Sequence, residues 1–371
     1  MVKKNVFIKY FTKELFVYYV TAFLFFFMIF FVNQILLMVQ DVLKQRVPLG
    51  QVLLLMLYCL PFVISQSAPF ATLVGFLMCI ARMVSDNEIL VIRTLGISYT
   101  ALLFSVLLMG TGISVGSFVV NDVLLPRGAI SYNNLYRKIL TSNPSVILEP
   151  NSVKRTQNAV LVIGDVVDNK VSNLLMFDTD TSGHQRIIAS SDAVIQQPTN
   201  SEVLMQINMH DSLIFIPDNI DYTSLDYITS ESTVMNIFAS AFGTSQSGVN
   251  PQEMTSYDLK KYIEKLKADE FQTARYINIF EVEYNRKFAL PFASLLFAFL
   301  AFPVAIIFGK HNGQTVGFIV GIVICVLYWT LQTLGQIFGQ RNGLNAFWAM
   351  WLPNFLVGLF GLIFYIKMRR S

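Results

Sequence analysis

The sequence predicts an α-helical polytopic membrane protein with six transmembrane helices, three before and three after one inserted all-β domain. Three observations carry that reading. First, the 371 residues are 54% apolar and only 14% charged, with 32 Phe, whereas an average soluble domain carries roughly 25% charged residues. Second, residues 122–287 hold 20 of the 24 acidic residues and 14 of the 27 basic ones, a net of −6, while the rest of the chain has a net of +9. A polar, acidic middle thus sits between two apolar, basic flanks. Third, charge-free stretches recur at 15–40, 47–81, 94–121, 288–309, 312–340 and 342–366. Each supplies the about 20 apolar residues that a spanning helix needs.

Taken in order, the first stretch is too long for a cleaved signal peptide, and no A-x-A-like site follows it. Pro61 and Pro69 interrupt the second. It is too short for two spans and a turn, so one long, bent helix with an interfacial start is expected. Residues 125–250 read as strands. Apolar and β-branched runs at 159–167, 171–177, 186–189, 193–196, 203–209 and 212–216 are separated by turn residues. Val203, Met205, Ile207 and Met209 alternate onto one face. Several short strands at this spacing suggest a sandwich, jelly roll or open barrel. After Ser245-Gln246-Ser247-Gly248 a helical region begins at Pro251. Thr255 with Asp258 resembles a capping box, and Leu259, Tyr262, Ile263 and Leu266 recur with helical spacing. A second helical pattern, Ile277, Phe280, Tyr284 and Phe288, runs straight into the fourth span. The expected parts are therefore a membrane half at 1–121, a β domain at 122–250, and connecting helices with the second membrane half at 251–371.

Short loops set the expected direction. With the N-terminus inside, the inside segments hold Lys3, Lys4, Lys9, Lys13, Arg82, Arg93, Lys310, Lys367, Arg369 and Arg370. The short outside loops hold only Lys44, Arg46 and Arg341. Both termini are then cytoplasmic and the β domain lies outside.

Several chemistries lack their residues. No G-x-x-x-x-G-K-[ST] occurs, so the chain is not a P-loop ATPase by itself. G-x-S-x-G and H-E-x-x-H are absent as well. The cysteines Cys59, Cys79 and Cys325 all lie in apolar runs, without a C-x-x-C pair. His184, His210 and His311 fall in a turn, a strand and a loop that this topology keeps apart. The centres of the spans carry no charge, which argues against ion-coupled transport.

Three features remain. A glycine row at Gly309, Gly313, Gly317 and Gly321 permits close helix approach, either within one protomer or at an interface that opens and closes. Gly335, Gly339 and Gly343 extend it. The loop after span two, residues 82–98, is amphipathic and reads as a short helix at about 84–95. Ser85 with Glu88 forms an expected capping box, and Gly96 an expected stop. Such a helix suits docking to a cytoplasmic partner or an ordinary interfacial turn. Finally, Lys44, Arg46, Arg286, Lys287 and Arg341 gather near the outer surface, as interfacial anchors or as contacts for anionic lipid headgroups.

Together these features resemble the LptF/LptG (YjgP/YjgQ) family of permeases, the membrane subunits of a lipopolysaccharide-exporting ABC transporter. The resemblance spans essentially the whole chain. It rests on the three-plus-three layout and on the stretch Ser85-Asp86-Asn87-Glu88-Ile89-Leu90-Val91-Ile92-Arg93-Thr94-Leu95-Gly96-Ile97-Ser98. It rests also on Tyr284-Asn285-Arg286-Lys287-Phe288-Ala289-Leu290-Pro291-Phe292 with Pro303 beyond it, and on the glycine-bearing turn into span five followed by Trp351-Leu352-Pro353-Asn354.

The resemblance implies a non-catalytic subunit with no cofactor of its own, ATP and Mg being bound by a partner ATPase. It implies a heterodimer with a second LptF/LptG-type permease on a pair of LptB-like ATPases, and LptC/LptA-like periplasmic bridge proteins. The cargo is lipopolysaccharide or a related glycolipid, the setting the bacterial inner membrane, and nucleic acid is not a partner. It implies a jellyroll-like periplasmic domain. Asp86, Glu88, Ile92 and Arg93 become ATPase-coupling residues, Gly313, Gly317 and Gly321 a gate surface, and the five outer cations candidate contacts for lipid phosphates. Span one departs from the family in carrying Asn33 and Gln34 where a cation is expected. The competing readings are a membrane-anchored scaffold or assembly factor with a binding domain, an intramembrane enzyme, and the permease of a different ABC exporter.

Overall fold

A computed structural model of the chain describes residues 4–42, 48–142, 150–155, 159–167, 170–179, 185–196, 203–217, 225–238, 250–269, 273–309, 313–341 and 344–370. The chain divides into two compact units, one of Met1–Met38, Met56–Ile130 and Pro251–Ser371, the other of Val39–Leu55 and Ser131–Asn250.

The first unit is helical. Its elements are α1 (Lys4–Val42), α2 (Leu49–Ser85), α3 (Glu88–Thr94), α4 (Tyr99–Val119), α5 (Leu125–Ser142), α6 (Ser256–Ala268), α7 (Ala274–Phe308), α8 (Gly313–Gln340) and α9 (Ala346–Arg370), of which α1, α2 and α5 extend into the second unit. Among the described residues six helices are long and apolar enough to cross a membrane, α4 and α5 counting as one run joined by a π-helical turn at Val120–Leu124. The second span is one continuous helix through Pro61 and Pro69. The helical pattern before the fourth span is likewise continuous with it, as α7.

Local signals explain the ends. Ser98 caps α4 by accepting a hydrogen bond from the Ala101 amide. Thr255 caps α6, accepting from the Asp258 amide at 3.2 Å while its hydroxyl donates to the Asp258 carboxylate at 2.6 Å. Gly96, at φ +83°, ends α3. Its amide donates to the Arg93 carbonyl and that of Ile97 to the Ile92 carbonyl, the two bonds of a Schellman motif. The capping box at Ser85 does not form. The backbone of α2 stays helical through Ser85, and the turn falls instead on Asn87, which adopts the left-handed region at φ 60° and gives α3 no side-chain cap. Asn tolerates that conformation because its short polar side chain bonds locally.

The core of this unit is built around α7. Phe297 and Phe302 are fully buried. The Phe297 ring meets Phe70 of α2 and Tyr328 of α8 with centroids 6.4 and 4.9 Å apart. Small residues let neighbours approach. A Cβ on Gly110 of α4 would fall 2.6 Å from the Ala298 Cβ of α7, and one on Gly361 of α9 would fall 2.7 Å from the Phe299 ring.

The second unit holds one antiparallel sheet of seven strands: β1 (Ser152–Arg155), β2 (Ala159–Ile163), β3 (Val166–Val167), β4 (Lys170–Thr179), β5 (Gln185–Gln196), β6 (Val203–Pro217) and β7 (Leu225–Phe238). Their order is β1-β2-β4-β5-β6-β7, with β3 on β4. One face buries Leu161, Val171, Leu174, Ile188, Ile195, Ile207 and Met209, and Tyr136 of α5 packs against it.

Two pairs of expected strands are single strands. The runs 186–189 and 193–196 are both β5, and 203–209 and 212–216 are both β6. The sheet bends along one line. Ser172 pairs with Asp192 and Leu174 with Ser190, while Asn173 between them takes φ 57°. Asp192 pairs with His210 and Ser190 with Ser212, while Asp211 takes φ 48°. Each strand thereby slips one residue in its alternation. The buried set of β6 runs Ile207, Met209 and then Ser212. Ser190 Oγ donates to the carbonyls of Asp192 and His210, both at 2.8 Å. The bend broke the period-two pattern, not the strands. Strands β1 and β7 have no counterpart among the expected runs, the run 159–167 is the two strands β2 and β3, and the stretch 125–142, expected as strand, is helix α5.

Candidate functional site

The turn between α2 and α4 carries the strongest arrangement. Arg82, in the last turn of α2, is its centre. Its guanidinium pairs with Glu14 of α1 at 3.1 Å, with Glu88 of α3 at 3.4 Å and with Asp86 at 3.6 Å. It also lies 5.6 Å from the Tyr18 ring centroid. Tyr10 of α1 donates to the other Glu88 oxygen at 3.2 Å. Glu88 thus ties α3 to both α1 and α2. Arg93 does something different, stacking 4.2 Å from the Tyr99 ring centroid and donating to its hydroxyl at 3.0 Å. Ile89, Ile92 and Ile97 are buried and fix α3 against the helical unit, while Leu90, Val91 and Leu95 are exposed. Of the four sequence-derived coupling residues, Glu88 and Asp86 therefore meet at Arg82, Ile92 points inward as an anchor, and Arg93 stands apart. Arg82 and Tyr10 were not among them. Their signal, a lone arginine and a tyrosine near the ends of apolar runs, has no local pattern.

The glycine row is a seam inside the chain. A Cβ on Gly313 would run into the Ala81 carbonyl of α2, one on Gly317 would lie 2.8 Å from the Leu77 carbonyl, and one on Gly321 would lie 2.9 Å from Val74. Each glycine on α8 meets α2 one turn further along. This face is covered inside the chain, and the open surface of α8 lies on its other side. Ile319, Val323 and Val326 are exposed there. Gly335 continues the seam against the Ala349 backbone of α9.

The described cations of the expected lipid-phosphate set, Arg286, Lys287 and Arg341, stand in different settings. Lys44 and Arg46 lie outside the described residues, as do Lys310, Gly343, His184 and His311. Arg341 is exposed at the end of α8. Arg286 pairs with Glu283 at 3.5 Å. Lys287 is 1% exposed. Its ammonium donates to the Asn121 carbonyl at 3.2 Å and lies 3.9 Å from Asp122, while the Asn121 side chain returns a bond to the Lys287 carbonyl. It is an internal tie between α7 and the π turn. Asp122 also accepts from the Ser256 amide at 2.6 Å, clamping the start of α6. Among the described residues no cluster of His, Cys, Asp and Glu is placed to hold a metal ion.

A protein-family model described as the lipopolysaccharide export system permease LptF/LptG matches residues 9–367. No curated protein matches the chain.

Proposed function

The chain belongs to the LptF/LptG family of lipopolysaccharide export permeases, multi-pass proteins of the inner membrane, and we propose that it is the membrane subunit of an ATP-driven exporter. In this reading it extracts lipopolysaccharide or a related glycolipid from the membrane and passes it to an LptC/LptA-like periplasmic bridge. A second LptF/LptG-type permease and a pair of LptB-like ATPases complete the machine. The chain itself is non-catalytic, and ATP and Mg reside in the ATPase. Both termini lie in the cytoplasm and the β sheet in the periplasm, a direction supported by the bias of Lys and Arg towards one set of short loops.

The observation that carries the proposal is the one-sided seating of α3. Ile89 and Ile92 hold it to the helices, and Leu90, Val91 and Leu95 face out. A short helix presented this way offers an apolar edge to a groove on the ATPase. Asp86, Glu88 and Arg93 flank that edge, with Ile92 as its inner anchor. Motion reaches α1 through Glu88, Tyr10, Arg82 and Glu14. Partly exposed ion pairs are worth about 0–1 kcal/mol each, so this clasp is remade at low cost. ATP shifts the gate only if α3 makes different contacts in the two states. The gate surface is the exposed face of α8, Ile319, Val323 and Val326, opposite Gly313, Gly317 and Gly321. Arg286 and Arg341, with Lys44 and Arg46, remain the candidates for lipid phosphates, and Lys287 holds the α7 end of the site.

Two experiments test this. Gentle-detergent isolation of the tagged chain, with mass spectrometry of proteins and lipids, should recover an ATPase, a second permease and a glycolipid. Recovery without an ATPase, under conditions that keep other ABC complexes whole, would point to a scaffold instead. In the assembled complex, Glu88→Ala should lower glycolipid export about tenfold with the fold intact. Unchanged export would remove α3 from the coupling path.

A further inference from the structure

A cleft of about 790 Å³ lies between α1 and α4, lined by one face of residues 8–16 and one face of residues 101–109. Sites of roughly 300–1,000 Å³ hold drug-sized molecules. The cleft is apolar along most of its length, with Phe16 on α1 and Phe104 and Leu108 on α4. At one end stand Lys9 and Lys13, one helical turn apart and both exposed. Among the described residues neither has a carboxylate partner, and the nearby Glu14 is taken by Arg82.

The far side of α1 explains why the cleft stays open. Phe11 and Leu15 are fully buried there. Gly75 lets α2 reach the backbone of Tyr18 and Tyr19, where a Cβ would come within 2.8 Å. The helix is held from behind, and its lysine face is left free. Two adjacent ammonium groups at the start of an apolar run, above an apolar slot, have the amphiphilic layout of a lipid: charge at the headgroup level, hydrocarbon beneath.

We propose that this cleft binds one anionic glycerophospholipid, its phosphate between Lys9 and Lys13 and an acyl chain along Phe16, Phe104 and Leu108. None of the residues that line the cleft belongs to α3. The assignment rests only on the chain spanning a membrane. A chain that binds this lipid yet exports no glycolipid would overturn the transport reading and leave this one standing.

Native mass spectrometry of the full chain, released from neutral detergent, is the test. Phosphatidylglycerol should bind in preference to phosphatidylethanolamine of the same acyl chains. Each Lys→Gln substitution should weaken that binding about fivefold, and Lys9→Gln with Lys13→Gln together about 25-fold. Lys9→Arg with Lys13→Arg should restore it, and Lys260→Gln on α6 should leave it unchanged. Equal binding of the two lipids, an unaffected double variant, or an equal loss with Lys260→Gln would each overturn the proposal. So would displacement of the lipid by inorganic phosphate, since that makes the lysines an anion site without the slot. A photoreactive side chain at Leu108 should capture lipid, and capture of a protein helix there would overturn the assignment to lipid.

Discussion

Helices α1 and α7 are close to equal in mean hydropathy, yet 17% of the most apolar stretch of α1 is buried inside the chain against 67% of that of α7. The difference is one of role. Helix α7 is the hub, touched by α4, α6, α8 and α9, with Phe297, Ala298, Ala301 and Phe302 at zero exposure. It also carries the buried Glu283, Lys287 and Ser294. Helix α1 lies at the edge, pinned along one face by Phe11, Leu15 and the Arg82 clasp while Phe16, Leu24, Met28 and Leu36 look outward. A hub helix holds the helical unit together. An edge helix leaves its outer face open.

The contrast can be broken by substitution, and the largest effect belongs to the buried charge. Lys287→Met should cost about 3 kcal/mol, because it keeps the volume but leaves the Asn121 carbonyl without its donor and Asp122 with the Ser256 amide alone. Pairing it with Asp122→Asn should recover part of the loss. Equilibrium unfolding in mixed micelles reads both, and a loss under 1 kcal/mol would show that water reaches the site. Next comes Phe297→Ala, at about 2–3 kcal/mol. Most of that is the cavity and the lost contacts to Phe70 and Tyr328, since lipid is as apolar as the core and the transfer part falls away. Gly317→Leu should follow at about 2 kcal/mol, as α8 is forced off the Leu77 carbonyl. A neutral result would mean that the seam with α2 opens readily. Smallest is Leu24→Ala on the open face of α1, expected within about 0.5 kcal/mol for the isolated chain. A larger effect in the assembled complex alone would identify that face as a subunit contact.

The elements themselves were largely legible from composition and period. Six apolar runs correspond to the six span-capable helices, Thr255 caps α6 and Gly96 stops α3, while the cap at Ser98 is a structural finding. The misses have physical causes. Ser85 and Glu88 have the spacing of a capping box, but Ser85 is still helical as the last residue of α2, and the start of α3 falls on Asn87 instead. Strands β5 and β6 each looked like two, because a bend shared by neighbouring strands shifts the alternation at Ser191 and Asp211. Strand β7 hid because its 14 residues include Asp226, Ser230, Glu231 and Ser232, too polar for the pattern, although Thr229, Thr233 and Val234 were a signal for it. Lys287 resembled its neighbour Arg286, and one residue of helix, about 100° of rotation, separates an internal tie from a half-buried cation.

By itself the sequence determined that six runs are long and apolar enough to cross a membrane, that a β sheet falls between the third and the fourth, and which turn presents a short amphipathic helix. These follow from local chemistry: run length, charge bias, caps and turn residues. Only the tertiary structure decided which apolar faces are spent inside the chain, that the glycine row closes on α2, and that Arg82 gathers Glu14, Asp86 and Glu88. The reason is that a bilayer and a protein interior are equally apolar. Hydropathy therefore places a helix in the membrane but says nothing about which neighbour it meets there.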